Sequence, residues 1–255
     1  MRFAKLHGLG NDFLLLDLRK GGEPLPARRA LELCHRHLGV GGDGVLTLLP
    51  GDRMLVQNSD GSVPEMCGNG ARCAALWIAT EGCTRPAEAS VNLMTDAGPR
   101  PCAVHAPEKR RGLVDVDMGV AQLSPARAIG AWEGVPVSMG NPHRVIFVGS
   151  EARRLALESG EALSVKENAN IEFVERRGPN RYAATVWERG AGLTQACGTG
   201  ACAVAAAAVE RGEAKRHEEI VVELPGGSLT IRVDERNRVR MTGPAELVFV
   251  GEVPA

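Results

Sequence analysis

Apolar and polar positions alternate in short bursts along most of the chain, and Gly, Pro, Asn and Asp separate the bursts. In the first half, Phe13–Asp17, Val45–Leu49, Arg53–Gln57, Ser90–Met94, Cys102–His105 and Leu113–Met118 read as strands. In the second half the strands are Val135–Met139, Arg144–Val148, Ile171–Glu175, Tyr182–Trp187, Ile220–Leu224, Ser228–Val233 and Leu247–Val250. Helical periodicity is rarer. Pro26–Leu38 sets Ala30, Leu33, Cys34 and Leu38 on one face. Two further helices are predicted over Asn69–Thr80 and Thr199–Arg211, stopping at Gly82 and Gly212, glycines suited to a helix C-cap.

The run Ala201–Val209 carries no charge and is mostly alanine. A helix that is apolar all round is buried all round, and small side chains let strands approach it closely. The pattern therefore predicts an α+β protein with a central helix wrapped by a curved sheet, once per half. Small residues over Val120–Ala131 mark the boundary. The expected domains are 1–120 and 121–255, with the last strand free to pack back on the first, and a cleft between them.

Composition removes several classes of function. Thirty basic and 31 acidic residues leave a net charge of −1, and no basic cluster stands out for nucleic acid. Arg110-Arg111 and Arg176-Arg177 read as solvated surface, and aromatics at 4% are too few for base-stacking platforms. The N-terminus lacks the apolar core of a signal peptide, and no apolar run approaches a bilayer span. Seven cysteines form no disulfide ladder. The expectation is a soluble cytoplasmic protein without nucleic-acid or membrane partners.

Candidate chemistry lies where two helices begin. Cys67-Gly-Asn-Gly-Ala-Arg-Cys73 and Cys197-Gly-Thr-Gly-Ala-Cys202 each set a thiol before a glycine-rich first turn. That turn has unpaired N–H groups and a partial positive charge, which stabilise a thiolate and can lower a cysteine pKa from about 8.5 toward neutrality. The same N–H groups can cradle a carboxylate. Occurring twice with the same glycine spacing, the device points to proton transfer at one carbon, a sulfur on each face. Cys34, Cys73, Cys83, Cys102 and Cys202 read as packing residues. No metal is expected, because neither Cys34-His35 with His37 nor Cys67 with Cys73 has the close hook of a structural zinc site. The run Gly39–Gly44 has dinucleotide-loop glycine spacing but follows a helix and precedes a strand, the wrong order. No lysine sits where a Schiff base with pyridoxal phosphate would need one, so no cofactor is expected.

The chain resembles the diaminopimelate epimerases from end to end. The likeness is carried by His7-Gly-Leu-Gly-Asn-Asp-Phe13, Asn58-Ser-Asp-Gly-Ser62, Met66–Cys73, Gly140-Asn-Pro-His143, Asn170-Ile-Glu-Phe-Val174, Glu188-Arg-Gly-Ala-Gly192 and Thr194–Ala201. The resemblance implies two pseudo-symmetric domains, each a mostly antiparallel, barrel-like sheet around a central helix. It implies cofactor-independent interconversion of LL- and meso-diaminopimelate, with Cys67 and Cys197 as the catalytic pair and His143 and Glu188 tuning them. It also implies a substrate shell of Asn11, Asn58, Asn141, Asn170, Glu188 and Arg189, with Gly68, Asn69, Gly198 and Thr199 cradling the reacting carboxylate. The substrate is a small amino acid, and a homodimer is allowed. Taken singly, Asn58 and Asn141 also read as turn residues, and His143 as a surface or core histidine.

One position departs from many members, which carry Gln where this chain has Gly44. Proline and hydroxyproline racemases are the nearest rival. They have His in place of Asn69 and an acidic-Arg-Ser/Thr-Pro run before the second Cys, where this chain has Thr194-Gln-Ala, preceded by Glu188-Arg-Gly. A redox dithiol protein and a non-enzymatic carboxylate binder are the rivals from other classes.

Overall fold

The computed structural model describes residues 1–81, 87–106, 108 and 110–254. The first elements are β1 (Arg2–Gly8), β2 (Asn11–Asp17), α1 (Ala27–Cys34), β3 (Gly44–Leu49), β4 (Arg53–Asn58) and α2 (Gly68–Ala79). Next come β5 (Ala87–Thr95), β6 (Gly98–Ala106), β7 (Arg111–Val120), β8 (Gln122–Leu123), β9 (Arg127–Ile129), β10 (Trp132–Ser138) and β11 (Pro142–Val148). The chain continues through α3 (Ala152–Glu167), β12 (Asn170–Gly178), β13 (Arg181–Glu188), β14 (Gly192–Leu193) and α4 (Gly198–Glu210). It ends with β15 (Ile220–Leu224), β16 (Gly227–Val233) and β17 (Arg238–Glu252). The architecture is α+β. It divides into two compact units, Met1–Val116 with Gly243–Ala255, and Asp117–Thr242.

In the first unit the strand pairings run β1–β2–β3–β4–β5–β6–β7, and β17 pairs with both β7 and β1. The sheet therefore returns to its first strand. β2–β3 and β4–β5 are parallel, whereas β1–β2, β3–β4, β5–β6, β6–β7 and β1–β17 are antiparallel. Inside lies α2, packed against β1 to β6 and buried at nearly every position. Outside lies α1, whose Ala30, Leu33 and Cys34 pack with Leu14, Leu16 and Val45. Strands covered on both faces read as continuous apolar runs, as Phe13–Leu16 does, and Val45–Leu48 is interrupted only by the buried Thr47. Arg72 of α2 is fully buried, and its Nε donates to the Pro244 carbonyl at 3.1 Å, tying the helix to the returning strand.

The second unit repeats the plan. Its pairings run β8–β10–β11–β12–β13–β15–β16–β17, with β11–β12 and β13–β15 parallel. The N–H of Ala121, just before β8, donates to the Asn237 carbonyl, just before β17, at 2.8 Å. Inside, α4 packs against β10 to β13, β15 and β16. Its side chains from Ala201 to Val209 are buried, as their composition requires. No helix of the described residues is long and apolar enough to cross a membrane.

Some elements differ from the sequence reading. The helix starting at Pro26 ends at Cys34, leaving Leu38 86% exposed. His35 turns extended, and its Nδ1 accepts the N–H groups of His37 and Leu38 at 3.2 and 3.0 Å. Gly39 then folds over the helix end, where a Cβ would lie 2.2 Å from the Glu32 carbonyl oxygen.

Five elements were not predicted at all: β1, α3 and the short strands β8, β9 and β14. Strand β1 hides behind Lys5, a buried cation paired with Asp12. Helix α3 is interrupted in sequence by Gly160, which reads as a break. The glycine is needed because a Cβ there would meet the Trp187 Cβ at 2.8 Å. For α2 the left-handed residue at the end is Glu81 (φ 49°), and the proposed cap Gly82 lies outside the described residues, as does Cys83. Gly212 does take the left-handed conformation after α4 (φ 72°).

Candidate active site

Each cysteine turn is built the same way. Cys67 is the N-cap of α2 in an extended conformation, and its Sγ accepts the Gly70 N–H at 3.4 Å. Cys197 is the N-cap of α4, and its Sγ accepts the Gly200 N–H at 3.3 Å. The sulfur thus takes the place that a serine or aspartate oxygen normally fills. Glycine at the third residue allows close packing: a Cβ on Gly70 would lie 2.8 Å from Leu46 Cδ2, and one on Gly200 would lie 3.0 Å from Glu172 Oε1. Cys73 and Cys202 are buried inside the helices, and burial pushes the Cys73 thiol up to about 12. Cys34 and Cys102 are also buried, with burial raising Cys34 to about 11.

In the first unit Cys67 is half-buried, and Asn69 and Asn11 lie together beyond it. Asn69 Nδ2 donates to Asn11 Oδ1 at 3.0 Å, and Asn11 Nδ2 donates to Asp43 Oδ2 at 2.7 Å. Asp43 is anchored in turn by Arg36 at 2.7 Å. Asp43 was missed by the sequence reading, although its place between Gly42 and Gly44 singles it out. Asn58 stands apart: its amide donates to Ser62 Oγ at 2.9 Å, within its own turn. Gly44 pairs with Asn58 across β3 and β4, and a Cβ there would lie 2.6 Å from the Gln57 carbonyl oxygen. The backbone of this chain leaves little room for any side chain at this position.

The second unit gathers more polar groups. His143, with no exposed surface, has Nδ1 2.6 Å from Glu172 Oε1 and Nε2 3.0 Å from Asn141 Oδ1. Asn141 Nδ2 donates to Thr199 Oγ1 at 3.3 Å, and Thr199 Oγ1 is 3.5 Å from Cys197 Sγ. Glu188 accepts from Thr194 Oγ1 at 2.5 Å, and the nearby Cys197 thiol favours its charged form. Asn170 Oδ1 accepts the Arg189 N–H at 2.8 Å. The Arg189 side chain points elsewhere, its Nη1 reaching the Asn168 carbonyl and Oδ1 at 3.3 and 3.1 Å. Glu172 was also missed. Its signal was an acidic residue two positions after Asn170, on the same strand face and between the apolar Ile171 and Phe173.

The electrostatics correct one expectation. The thiol of Cys197 is pushed well above its ordinary range, not toward neutrality. Burial is the first cause, and the charges of Glu188 and Glu172 add to it, against the Thr199 hydroxyl and the Gly200 N–H. Burial likewise raises Glu188. A helix N-terminus favours thiolate only where the surroundings do not outweigh it.

The similarities of the chain to known proteins make it an isomerase. The diaminopimelate epimerase family model matches residues 3–124 and 135–248. A diaminopimelate epimerase of Synechococcus elongatus is 42% identical, over 99% of this chain and 98% of its own. Another, from Desulfitobacterium hafniense, is 41% identical over 98% and 97%. Among solved structures, a protein described as a predicted epimerase from Pseudomonas aeruginosa superposes with a TM-score of 0.78 at 19% identity, covering 100% and 99% of the two chains. A hydroxyproline epimerase from Agrobacterium vitis, solved with trans-4-hydroxy-L-proline, gives 0.75 at 17%, covering 99% and 90%. The chain belongs to the diaminopimelate epimerase family.

Proposed function

We propose that this enzyme interconverts LL- and meso-2,6-diaminopimelate in the cytoplasm, with Cys67 and Cys197 as the two proton-transferring groups and no cofactor. The observation that carries this reading is the matched pair of cysteine N-caps, each sulfur held by the N–H of the third residue of its helix. An amino-acid α-hydrogen is weakly acidic, so the charge that develops on its removal must be stabilised. Backbone N–H groups at a helix start, here those of Gly68 and Asn69 and of Gly198 and Thr199, suit the α-carboxylate for that purpose.

Inversion needs a base on one face and an acid on the other. A thiolate and a thiol serve, and their roles exchange for the reverse direction. The surroundings of Cys197 favour its thiol form, which suits it to the acid role, with Cys67 as the base. His143 and Glu188 tune Cys197. Asn11, Asn58, Asn141, Asn170 and Arg189 bind the far amino-carboxylate end, Arg189 leaving Asn168 to do so. Closure around the substrate excludes water from the reacting carbon.

Incubation with LL-diaminopimelate in D₂O tests the reading. Meso product with deuterium at one α-carbon is the expected result; no exchange by folded, reduced protein rejects it. Proline and hydroxyproline in the same assay are expected to stay unlabelled, since Asn69 stands where their racemases have histidine.

A further inference from the structure

Glu172 is a carboxylate with no exposed surface, set in β12 on the face that also carries Asn170. One oxygen, Oε1, is 2.6 Å from His143 Nδ1 and lies against the first turn of α4 at Gly200. The other, Oε2, has no hydrogen-bond partner among the described residues. A buried carboxylate left half-satisfied is costly. An apolar residue would serve packing better.

From this carboxylate a continuous chain of contacts reaches the sulfur. It runs Glu172 Oε1, His143 Nδ1 and Nε2, Asn141 Oδ1 and Nδ2, Thr199 Oγ1, Cys197 Sγ, with successive distances of 2.6, 3.0, 3.3 and 3.5 Å. We propose that Glu172 is a positioning residue for the Cys197 half of the reaction, setting through His143, Asn141 and Thr199 which way this chain points at the sulfur. The inference rests on the reading that Cys197 exchanges a proton with substrate.

The chain has two polarities. With a proton between Glu172 and Nδ1, the ring also keeps its N–H at Nε2, which donates to Asn141 Oδ1. The Asn141 amide then donates to Thr199, and the Thr199 hydroxyl hydrogen is left to donate to sulfur. That arrangement favours thiolate. With the only ring proton at Nδ1, held by the carboxylate, Nε2 becomes an acceptor. Asn141 turns over, its oxygen accepts from Thr199, and Thr199 accepts the S–H. That arrangement favours thiol. Charge acts in the same direction, since the Glu172–His143 pair is neutral in the first state and carries −1 in the second.

The ionisable groups facing Glu172 are His143 from β11, Glu188 from β13 and Cys197 at the start of α4. Helix α3 lies against the other face of β12, where Glu175 accepts the Ala152 N–H and Glu167 pairs with Arg144. Burial and the nearby carboxylates push the Cys197 thiol up, in agreement with the geometry.

Alkylation of Cys197 by iodoacetamide, followed against pH by peptide mass spectrometry without substrate, tests the proposal. Glu172→Gln is expected to move the midpoint down by about one pH unit, a tenfold gain in thiolate at fixed pH, and Glu172→Asp to restore it. Cys202, five residues further along the same helix, reports loosening of the fold and is expected to stay unreactive. A Glu172→Gln profile superimposed on the wild type overturns the proposal, as does a shift accompanied by Cys202 labelling. Thr199→Val cuts the last link independently: a raised midpoint is expected, and an unchanged one is contrary to the proposal. The readout needs no turnover, so its failure is separate from any failure of the substrate assignment.

Discussion

Cys197 Sγ and the backbone N–H of Gly200 are 3.3 Å apart, the bond that also joins Cys67 to Gly70 at 3.4 Å. Identical caps hold the two sulfurs in different surroundings. Cys67 is half-buried, whereas Cys197 is buried beside Glu188 and Glu172. Iodoacetamide at pH 8 is therefore expected to label Cys67 at least about tenfold faster than Cys197, since reactivity follows thiolate content and access. Equal rates, or Cys197 first, would contradict the assignment of acid and base.

Removing either thiol should stop the reaction while sparing the fold. Cys67→Ser and Cys197→Ser are each expected to lower kcat/KM by on the order of 10³ or more, because a serine hydroxyl is a far weaker acid than a thiol. Its oxygen can still cap the helix, so thermal unfolding should stay near wild type. Retention of a tenth of the activity by either variant would remove that cysteine from the mechanism.

Legibility in the sequence followed burial. Strands covered on both faces, such as Phe13–Leu16, and the alanine-rich α4 announce themselves because nothing polar interrupts them. Lys5 and Gly160 broke the pattern of β1 and α3 for reasons local windows do not contain: a buried ion pair with Asp12 in one, contact with the Trp187 ring in the other. The candidate site was legible where chemistry had a spelling, as in Cys-Gly-x-Gly. Asp43 and Glu172 gave weak local signals, and their partners Asn11 and His143 lie far along the chain, so the fold alone shows what they pair with.

Gly44 makes a steric prediction. A Cβ at this position would lie 2.6 Å from the Gln57 carbonyl oxygen, a backbone atom that moves only with the strand. Gly44→Gln is expected to cost about 1–3 kcal/mol by overpacking. Urea denaturation measures it, and an unchanged midpoint would show that β3 and β4 separate freely.

Acid should weaken the first unit through Asp17. Burial alone would raise this carboxyl, but hydrogen bonds from Arg19 and from Trp77 Nε1 at 2.9 Å hold it down, to about 2 from 3.8. A depressed folded value means the stabilisation is full above the unfolded value and is lost as pH falls through about 2. Discounted for its partial exposure, it amounts to about 1 kcal/mol. Asp17→Asn should be less stable than wild type by that amount at pH 6, with the gap closing near pH 2. A gap that stays constant with pH would place the effect outside this carboxylate.

The central claim is that two thiols share one carbon, each serving a single face. Early-conversion isotope partitioning in D₂O reads this directly, with LL- and meso-diaminopimelate each taken as substrate. Two bases that hold their own protons deliver solvent deuterium to the product while recovered substrate keeps its hydrogen. Deuterium appearing in recovered substrate as fast as in product, from both directions, would mean that one group serves both faces and would contradict the two-thiol mechanism.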